Sequence, residues 1–357
     1  MTKILTIIGA RPQFVKAAVL SRVFASMNNV EEMLVHTGQH FDDKMSQIFF
    51  DEMEIPTPHF NLEINSLGHG AMTGRMLEGI EKLILQEKPN WILVYGDTNS
   101  TLAGALAAKK LHVKVAHVEA GLRSFNMQMP EEINRILTDR ISDHLYAPTQ
   151  TAVNNLKREG FDNFEAKVFL SGDVMQDAAL FYAQKAEEKS SLSKDLLKGE
   201  FILSTIHRQE NTDDPQRLKA IITALNKIHQ KNRVVLPIHP RTRKIIEQLG
   251  LQLNVDVIDP VGYFDMITLL KNCSLVMSDS GGLQKEAFFF QKHCVTLRDQ
   301  TEWVELVEGG FNILAGADEL SIIKSFEKMK EVKSDFNVNL YGNGGAGKNI
   351  VQHLLNN

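Results

Sequence analysis

Cysteine is scarce in this chain: Cys273 and Cys294 are the only two among 357 residues. They form no CxxC pair, and both sit among apolar neighbours, in NCSLVM and KHCVTL. That usage points to buried free thiols in a reducing compartment rather than to a disulfide framework. Zinc-type signatures are also missing, with no H-E-x-x-H and no Cys/His ligand spacing, so a metal centre is not expected. No apolar run approaches the roughly 20 residues that a bilayer span requires. The opening MTKILTIIGARPQF has a short apolar run and then Arg and Pro, which reads as a first strand and its loop rather than a signal peptide; a cytoplasmic location is expected. A positive charge excess is absent too. The formal net charge is −5, which argues against nucleic acid as a main partner but leaves room for a local basic pocket. The G-x-G-x-x-G dinucleotide fingerprint does not occur, which disfavours a nicotinamide or flavin enzyme built on the first loop. There is no short tandem repeat and no long low-complexity tract.

What is present is a globular composition, 43% hydrophobic and 23% charged, in a chain long enough for two domains of about 150 residues each. Short apolar runs alternate with helical patterns: KILTIIG, EEMLVHTG, NWILVYG, VKVAHVE and HLYAP in the first half, then FILSTIH, RVVLPIH, VDVID, SLVMSD and HCVTLR. The runs are near-continuous rather than alternating, as in parallel strands covered on both faces. A polar seam, EEKSSLSKDLLKGE, precedes a fresh start of the alternation. The expected fold class is therefore α/β, with two Rossmann-like doubly wound domains facing a central cleft. The N-terminal domain is placed at residues 1–170 and the C-terminal domain at 171–357, closed by a Gly-rich turn and a last helix at about 346–357.

In such sheets ligands bind beyond the carboxyl ends of the strands, so the residues that follow those ends carry the functional reading. The first strand runs into Gly9-Ala10-Arg11-Pro12 and a helix bearing Lys16; a Gly turn with two cations suits an anion, or is simply a tight turn with surface charge. VYGDTNST puts Asp97 just past a strand, where it can be an N-cap or a site carboxylate. HVEAGLR repeats the arrangement with Glu119 and Arg123, and Glu is a poor cap. In MPEEINR, Pro130 suits a first helical turn, one of Glu131 and Glu132 can complement the helix dipole, and Arg135 stands four residues after Glu131. STIHRQEN brings His207 and Arg208 to the first strand end of the second half, and LPIHPRTR brings His239 and Arg241 to the next. Two histidines with Arg nearby suit an anionic ligand better than a metal. VMSDSGGLQKEAFFF is the strongest local signal: Ser280-Gly281-Gly282 turns from strand to helix with bare amides for a phosphate, and Glu286 on that helix can accept both hydroxyls of a ribose. The FFF run reads as core.

Taken in order, GARPQFVK, HTGQH, GDTNST, HVEAGLR, PEEINR, HRQEN, HPRTR and DSGGLQKEA resemble the non-hydrolysing UDP-N-acetylglucosamine 2-epimerases from residue 9 to about residue 290. The resemblance implies a B-type glycosyltransferase-like pair of domains, a last helix that crosses back to the first domain, and a homodimer. It implies catalytic roles for Asp97, Glu119, Glu131 and His207. UDP-sugar contacts fall on Arg11, Lys16, Asp97, Glu119, Arg135, His207, Arg208, Ser280, Gly281, Gly282 and Glu286. Gln39, His40 and His239 match motifs tied in some members to a second, allosteric UDP-sugar site, while SLGHGAMTGRML does not clearly match the rest of it. Where the commonest members carry an Arg after the MRDTTE segment, this chain reads LRDQTEWVE with Trp303, and its GLRSFNMQMPEE loop is shorter. Both features resemble a branch that includes epimerases of UDP-2,3-diacetamido-2,3-dideoxyglucuronate.

The implied chemistry accounts for the residue types. C2 of an amino sugar has no adjacent carbonyl to acidify its C–H. Loss of UDP from C1 builds positive charge there, the C2 proton leaves, and a 2-acetamidoglucal forms; UDP adds back after a proton arrives on the other face. Acid/base groups are needed on both faces, together with cations and amides that retain UDP; no cofactor is needed. A B-type glycosyltransferase, a hydrolysing epimerase and a non-catalytic UDP-sugar sensor are the alternative readings.

Overall fold

Aliphatic and β-branched runs fit a pleated surface buried on both sides, and here they become the strands of two parallel sheets. The computed structural model describes residues 1–39 and 57–356, with the side chain of Arg11 left aside. His40 lies outside the described residues.

The chain divides into two compact units. One comprises Met1–Ala178 with Asn339–Asn357, the other Ala179–Val338. The first unit holds β1 (Thr2–Ile8), β2 (Val30–His36), β3 (Phe60–Asn61), β4 (Trp91–Tyr95), β5 (Lys114–Val118), β6 (His144–Ala147) and β7 (Lys167–Leu170). Among the described residues these form one sheet in the order β3-β2-β1-β4-β5-β6-β7, every pair parallel. The second unit holds β8 (Ile202–Thr205), β9 (Val234–Pro237), β10 (Asp256–Ile258), β11 (Leu275–Ser278), β12 (Cys294–Thr296) and β13 (Asn312–Leu314). Their order is β10-β9-β8-β11-β12-β13, again all parallel. The α/β doubly wound class expected from the sequence holds for both units. The strands β3, β7 and β13 are additions to the runs picked out above. They have two to four residues each, and β7 is an edge strand with exposed ends, so none presents a long buried run.

Alternation within each strand supplies two cores. In the second unit Ile202, Val234, Leu275 and Met277 enter one cluster while Leu203, Val235 and Val276 enter the other. In the first unit Leu5, Ile7, Val35, Ile92, Val94 and Val115 pack beneath Ala103, Ala105, Ala107 and Ala108 of the helix Asn99–Lys110. Small side chains let that helix approach closely; a Cβ on its Gly104 would lie 3.1 Å from both Ile7 and Val94.

The last helix, Ala346–Asn356, buries Ile350, Val351 and Leu354 and belongs to the first unit. Its first amides, on Ala346 and Gly347, donate to the two carboxylate oxygens of Asp177 at 3.1 and 2.8 Å, which satisfies donors that a helix start leaves open. Gly347 has no room for a side chain: a Cβ there would stand 2.6 Å from Val19. Cys273 and Cys294 are buried free thiols, each pushed up to about 12 by burial and hence inert.

Candidate active-site loops at the strand ends

Each sheet reverses its strand order once, between β1 and β4 in the first unit and between β8 and β11 in the second. Such switch points open a crevice beyond the carboxyl ends of the strands, and the loops leaving these four strands carry most of the sequence-predicted site.

In the first unit Gln13 stitches the two loops of the switch point together. Its Oε1 accepts from the amides of Gly9 and Ala10 at 2.8 and 3.0 Å, and its Nε2 donates to the Tyr95 carbonyl at 2.8 Å. Beside it, Lys16 is ion-paired with Glu119, and both are buried. Glu119 is a non-glycine residue in the left-handed region, at φ 72°, a conformation that costs energy and persists only where its surroundings enforce it. Gly96, at φ 62°, lies directly under that pair: a Cβ there would be 3.3 Å from both Glu119 Oε2 and Lys16 Nζ. Asp97 follows Gly96 and binds Arg135 Nη2 at 2.6 Å, keeping its side chain 30% exposed.

Two local readings are settled here. Thr98, not Asp97, caps the helix Asn99–Lys110, accepting from the Thr101 amide; the Asp97 carboxylate is thereby released to face Arg135. Arg135 pairs with Glu132 three residues earlier rather than with Glu131 four residues earlier. The helix Pro130–Ile141 turns Glu132 inward, where its carboxylate also accepts from the amides of Ser124 and Phe125 at 2.9 Å each. Burial pushes Glu132 up, but those amides and the Arg135 charge outweigh it and hold the carboxyl below its ordinary value. Glu131 is left exposed on the first turn, at the end of the helix where the dipole favours an acid.

Beneath these loops lies a buried ionic network. His117 and Asp139 are fully enclosed, with Nδ1 and Oδ1 2.7 Å apart. Asp139 Oδ2 accepts from Arg123 Nη1 at 2.7 Å and from the Gly121 amide at 3.1 Å, and Arg123 forks onto Glu159 through two bonds of 2.7 Å. Burial alone would raise Asp139; the bond and charge of His117 and Arg123 prevail and keep it below the usual range.

In the second unit Ser280 caps the helix Gly281–Phe289 with its hydroxyl on the Leu283 amide. The cations converge on the turn: a Cβ on Gly281 would lie 3.3 Å from Arg208 Nη2 and 3.8 Å from Arg298 Nη1. Arg298 is bonded to Glu302 at 3.0 and 3.3 Å. Burial pushes Glu302 up, but Arg298, with Arg208 behind it, holds it ionised and low. Trp303 donates its indole N–H to the Gly281 carbonyl at 2.9 Å, and Lys285 sits 3.9 Å over its ring. Asp279, wholly buried, accepts from the backbone amides of His207 and Arg208 at 3.0 to 3.1 Å, with His207 Nδ1 at 3.2 Å. The imidazole itself is half exposed. Glu286 is buried on the same helix as Gly281, near Tyr263, whose phenol is raised first by its own burial and then by the Glu286 charge.

The expected site residues therefore fall into two groups. Lys16, Asp97, Glu119 and Arg135 meet at the first switch point, with Arg11 at the start of the helix Arg11–Ala25 and its side chain outside the described residues. Arg208, Ser280 and Gly281 meet at the second, where His207, Gly282 and Glu286 adjoin them. Of the residues tied to a second site, Gln39 accepts from the amide and hydroxyl of Ser100 at 3.1 and 2.8 Å, whereas His239, in the other unit, caps the helix Pro240–Gln248. Both have local structural tasks. Gln13, His117, Glu132, Asp139, Arg298 and Glu302 were not singled out from sequence. Only Glu132 had a signal there, the i,i+3 spacing to Arg135.

Comparison with known proteins shows the family and the fold. A family model described as UDP-N-acetylglucosamine 2-epimerase matches residues 23–355. The UDP-2,3-diacetamido-2,3-dideoxy-D-glucuronate 2-epimerase of Pseudomonas aeruginosa is 59% identical over 355 residues, 99% of each chain. The solved UDP-GlcNAc 2-epimerase of Methanocaldococcus jannaschii, in complex with UDP-GlcNAc and UDP, superimposes with a TM-score of 0.88 at 42% identity, covering 100% of this chain and 99% of its own. That of Neisseria meningitidis, bound to UDP-GlcNAc, gives 0.88 at 31% identity over the full length of both. The chain belongs to the UDP-N-acetylglucosamine 2-epimerase family, a family of isomerases.

Proposed function

We propose that the chain inverts C2 of UDP-2,3-diacetamido-2,3-dideoxyglucuronate by eliminating UDP and adding it back. The C1–O bond breaks with its electrons leaving on UDP, a carboxylate removes the C2 proton, and C1=C2 forms, giving a 2-acetamidoglucal. A second acid then delivers a proton to the opposite face of C2, and a UDP phosphate oxygen re-forms the bond to C1. Asp97, Glu119 and Glu131 serve the sugar ring as acid and base groups, with Lys16 and Arg135 orienting Glu119 and Asp97 through ion pairs. Ser280, Gly281 and Gly282 hold the diphosphate through amides and cap, Arg208 supplies charge, Glu286 takes the ribose, and His207 stands by the departing phosphate. The reading includes a homodimer in the cytoplasm; among the described residues no helix is long and apolar enough to cross a membrane.

The observation that carries this reading is the juxtaposition of Lys16 and Glu119 over Gly96, with Asp97 on Arg135: carboxylates at the ends of two neighbouring strands, beside the switch point, are what acid/base work on two faces requires. The sugar identity is supported by the 59% relative and by Trp303, which stands where the commonest members carry Arg. UDP-GlcNAc is the second reading, favoured by the ligands of the solved neighbours.

The test is incubation in deuterated water with each of the two UDP-sugars, read by NMR. Deuterium at C2 of the diacetamido uronate, with inversion, is the expected result. Label only in UDP-GlcNAc would move the assignment to that sugar, release of free amino sugar would indicate a hydrolysing enzyme, and no label in either would defeat the proposal.

A further inference from the structure

We propose that His117 is a positioning residue that locks into one register the three elements bearing Asp97, Glu119 and Glu131; this inference rests on the catalytic reading above. His117 occupies β5, two residues before Glu119. Its Nε2 lies 2.7 Å from the carbonyl oxygen of Gly96, the residue that precedes Asp97 on the neighbouring strand end. Its Nδ1 lies 2.7 Å from Asp139 Oδ1 on the helix Pro130–Ile141, whose first turn carries Glu131. One fully buried imidazole therefore touches β5, the β4 loop and that helix together.

Both partners are acceptors. A carbonyl oxygen can only accept, and Asp139 is already committed as an acceptor to Arg123 Nη1 and the Gly121 amide. Both ring nitrogens of His117 consequently donate, a role that no neutral side chain of similar size can fill, since neutral imidazole, Asn and Gln each offer a donor at one end and an acceptor at the other.

The tie acts beside a strained residue: Glu119 has φ 72°, whereas Gly96 and Gly121 take φ of 62° and 79° without steric cost. His117 holds the Gly96 carbonyl, and through Asp139 it reaches the Gly121 amide, so both flanks of the strained Glu119 turn are fastened to one buried pair. Asn134 of the same helix reinforces the tie by donating to the Asp97 carbonyl at 2.9 Å. Strain of this kind is maintained only by an over-determined surround, and small misplacements of acid/base groups are costly in rate, about a hundredfold for 1 Å.

The test compares wild type with His117→Gln by C2–H exchange in deuterated water and by steady-state epimerisation of the accepted UDP-sugar. A folded H117Q enzyme, with wild-type circular dichroism and UDP binding stoichiometry, is expected to lose about tenfold to a hundredfold in kcat while its KM stays within a few fold. Unchanged kcat in a folded variant would overturn the proposal. If H117Q does not fold, wild-type enzyme labelled with 15N-histidine carries the test. Both His117 ring nitrogens should resonate as proton-bearing; an acceptor-type nitrogen would overturn the tie. Absence of C2 exchange in the wild type would instead indict the catalytic reading itself.

Discussion

Glu119 combines three features that stability alone does not select: a left-handed backbone, burial, and an ion pair with Lys16. A glycine would relieve the strain and a neutral residue would avoid the charge. Replacing Glu119 with Gln keeps the shape and removes the base, so kcat should fall by about 10²–10⁴. UDP affinity, measured by calorimetry, should be retained, because the turn proposed above to hold the diphosphate belongs to the second unit. An equally active E119Q would remove this carboxylate from the mechanism. Asp97 and Glu131 differ from it in environment: Asp97 is partly open and salt-bridged, and Glu131 is exposed with its helix-mate Glu132 absorbed in holding the loop that starts at Ser124.

At the level of the element, the turn Ser280–Gly282 is built from outside as well as from within. Ser280 supplies the cap, and Trp303 pins the Gly281 carbonyl from a segment more than twenty residues further along. With its carbonyl so held, the following peptide plane is fixed and the amides stay aimed at one point. Trp303→Phe deletes the indole N–H together with part of the ring, leaving a smaller aromatic face under Lys285. A neutral hydrogen bond is worth about 0.5–1.5 kcal/mol, so UDP binding by W303F should weaken by roughly three- to tenfold, measured by calorimetry at fixed salt. No change in Kd would mean that the turn holds its shape without that bond. On the opposite side the turn is electrostatically balanced: Arg298, near Gly281, is buried against Glu302 and so does not stand uncompensated.

Over the whole molecule, stability and pH meet at Glu32 on β2. The residue is half-buried, with its carboxyl turned toward fully buried Thr6, whose hydroxyl donates at 2.6 Å. Burial pushes the carboxyl up to about 7, from an ordinary 4.5, with the hydroxyl opposing. Folded protein therefore keeps a proton that the unfolded chain gives up across that window. The stabilisation is present in full below about pH 4.5, declines as pH rises, and is gone above about pH 7. Its full extent is on the order of 3 kcal/mol. Glu32→Gln should abolish this component: in urea unfolding, the stability of E32Q relative to wild type should rise by roughly 2 kcal/mol between pH 5 and pH 8. A pH-independent difference would show that the carboxyl is ionised in the folded state. The placement of the last helix is likewise a whole-chain matter, since Asp177, which receives its first amides, stands 170 residues before Gly347 and Val19 lies near the start of the chain.

The amino-acid sequence by itself determined the α/β class, the positions of ten strands and the ordered motifs that mark the family, because these depend on local periodicity and on short stretches of turn chemistry. It also placed Asp97, Glu119, Ser280 and Gly281 just past strand ends and Lys16 on the helix after the first strand, which is a matter of where each apolar run stops. Tertiary structure alone decided which partner each charge takes. Arg135 could reach Glu131 or Glu132 by helical spacing, and only the loop amides that bind Glu132 chose between them. Asp97 could cap a helix, and only Arg135, 38 residues away, gave its carboxylate another partner. His117 read as one more residue in the apolar run KVAHV until folding brought Gly96 and Asp139 to its two nitrogens. Burial and hydrogen-bond satisfaction are properties of surroundings assembled from distant segments, and no window of sequence around His117 contains either of the groups that give it a role.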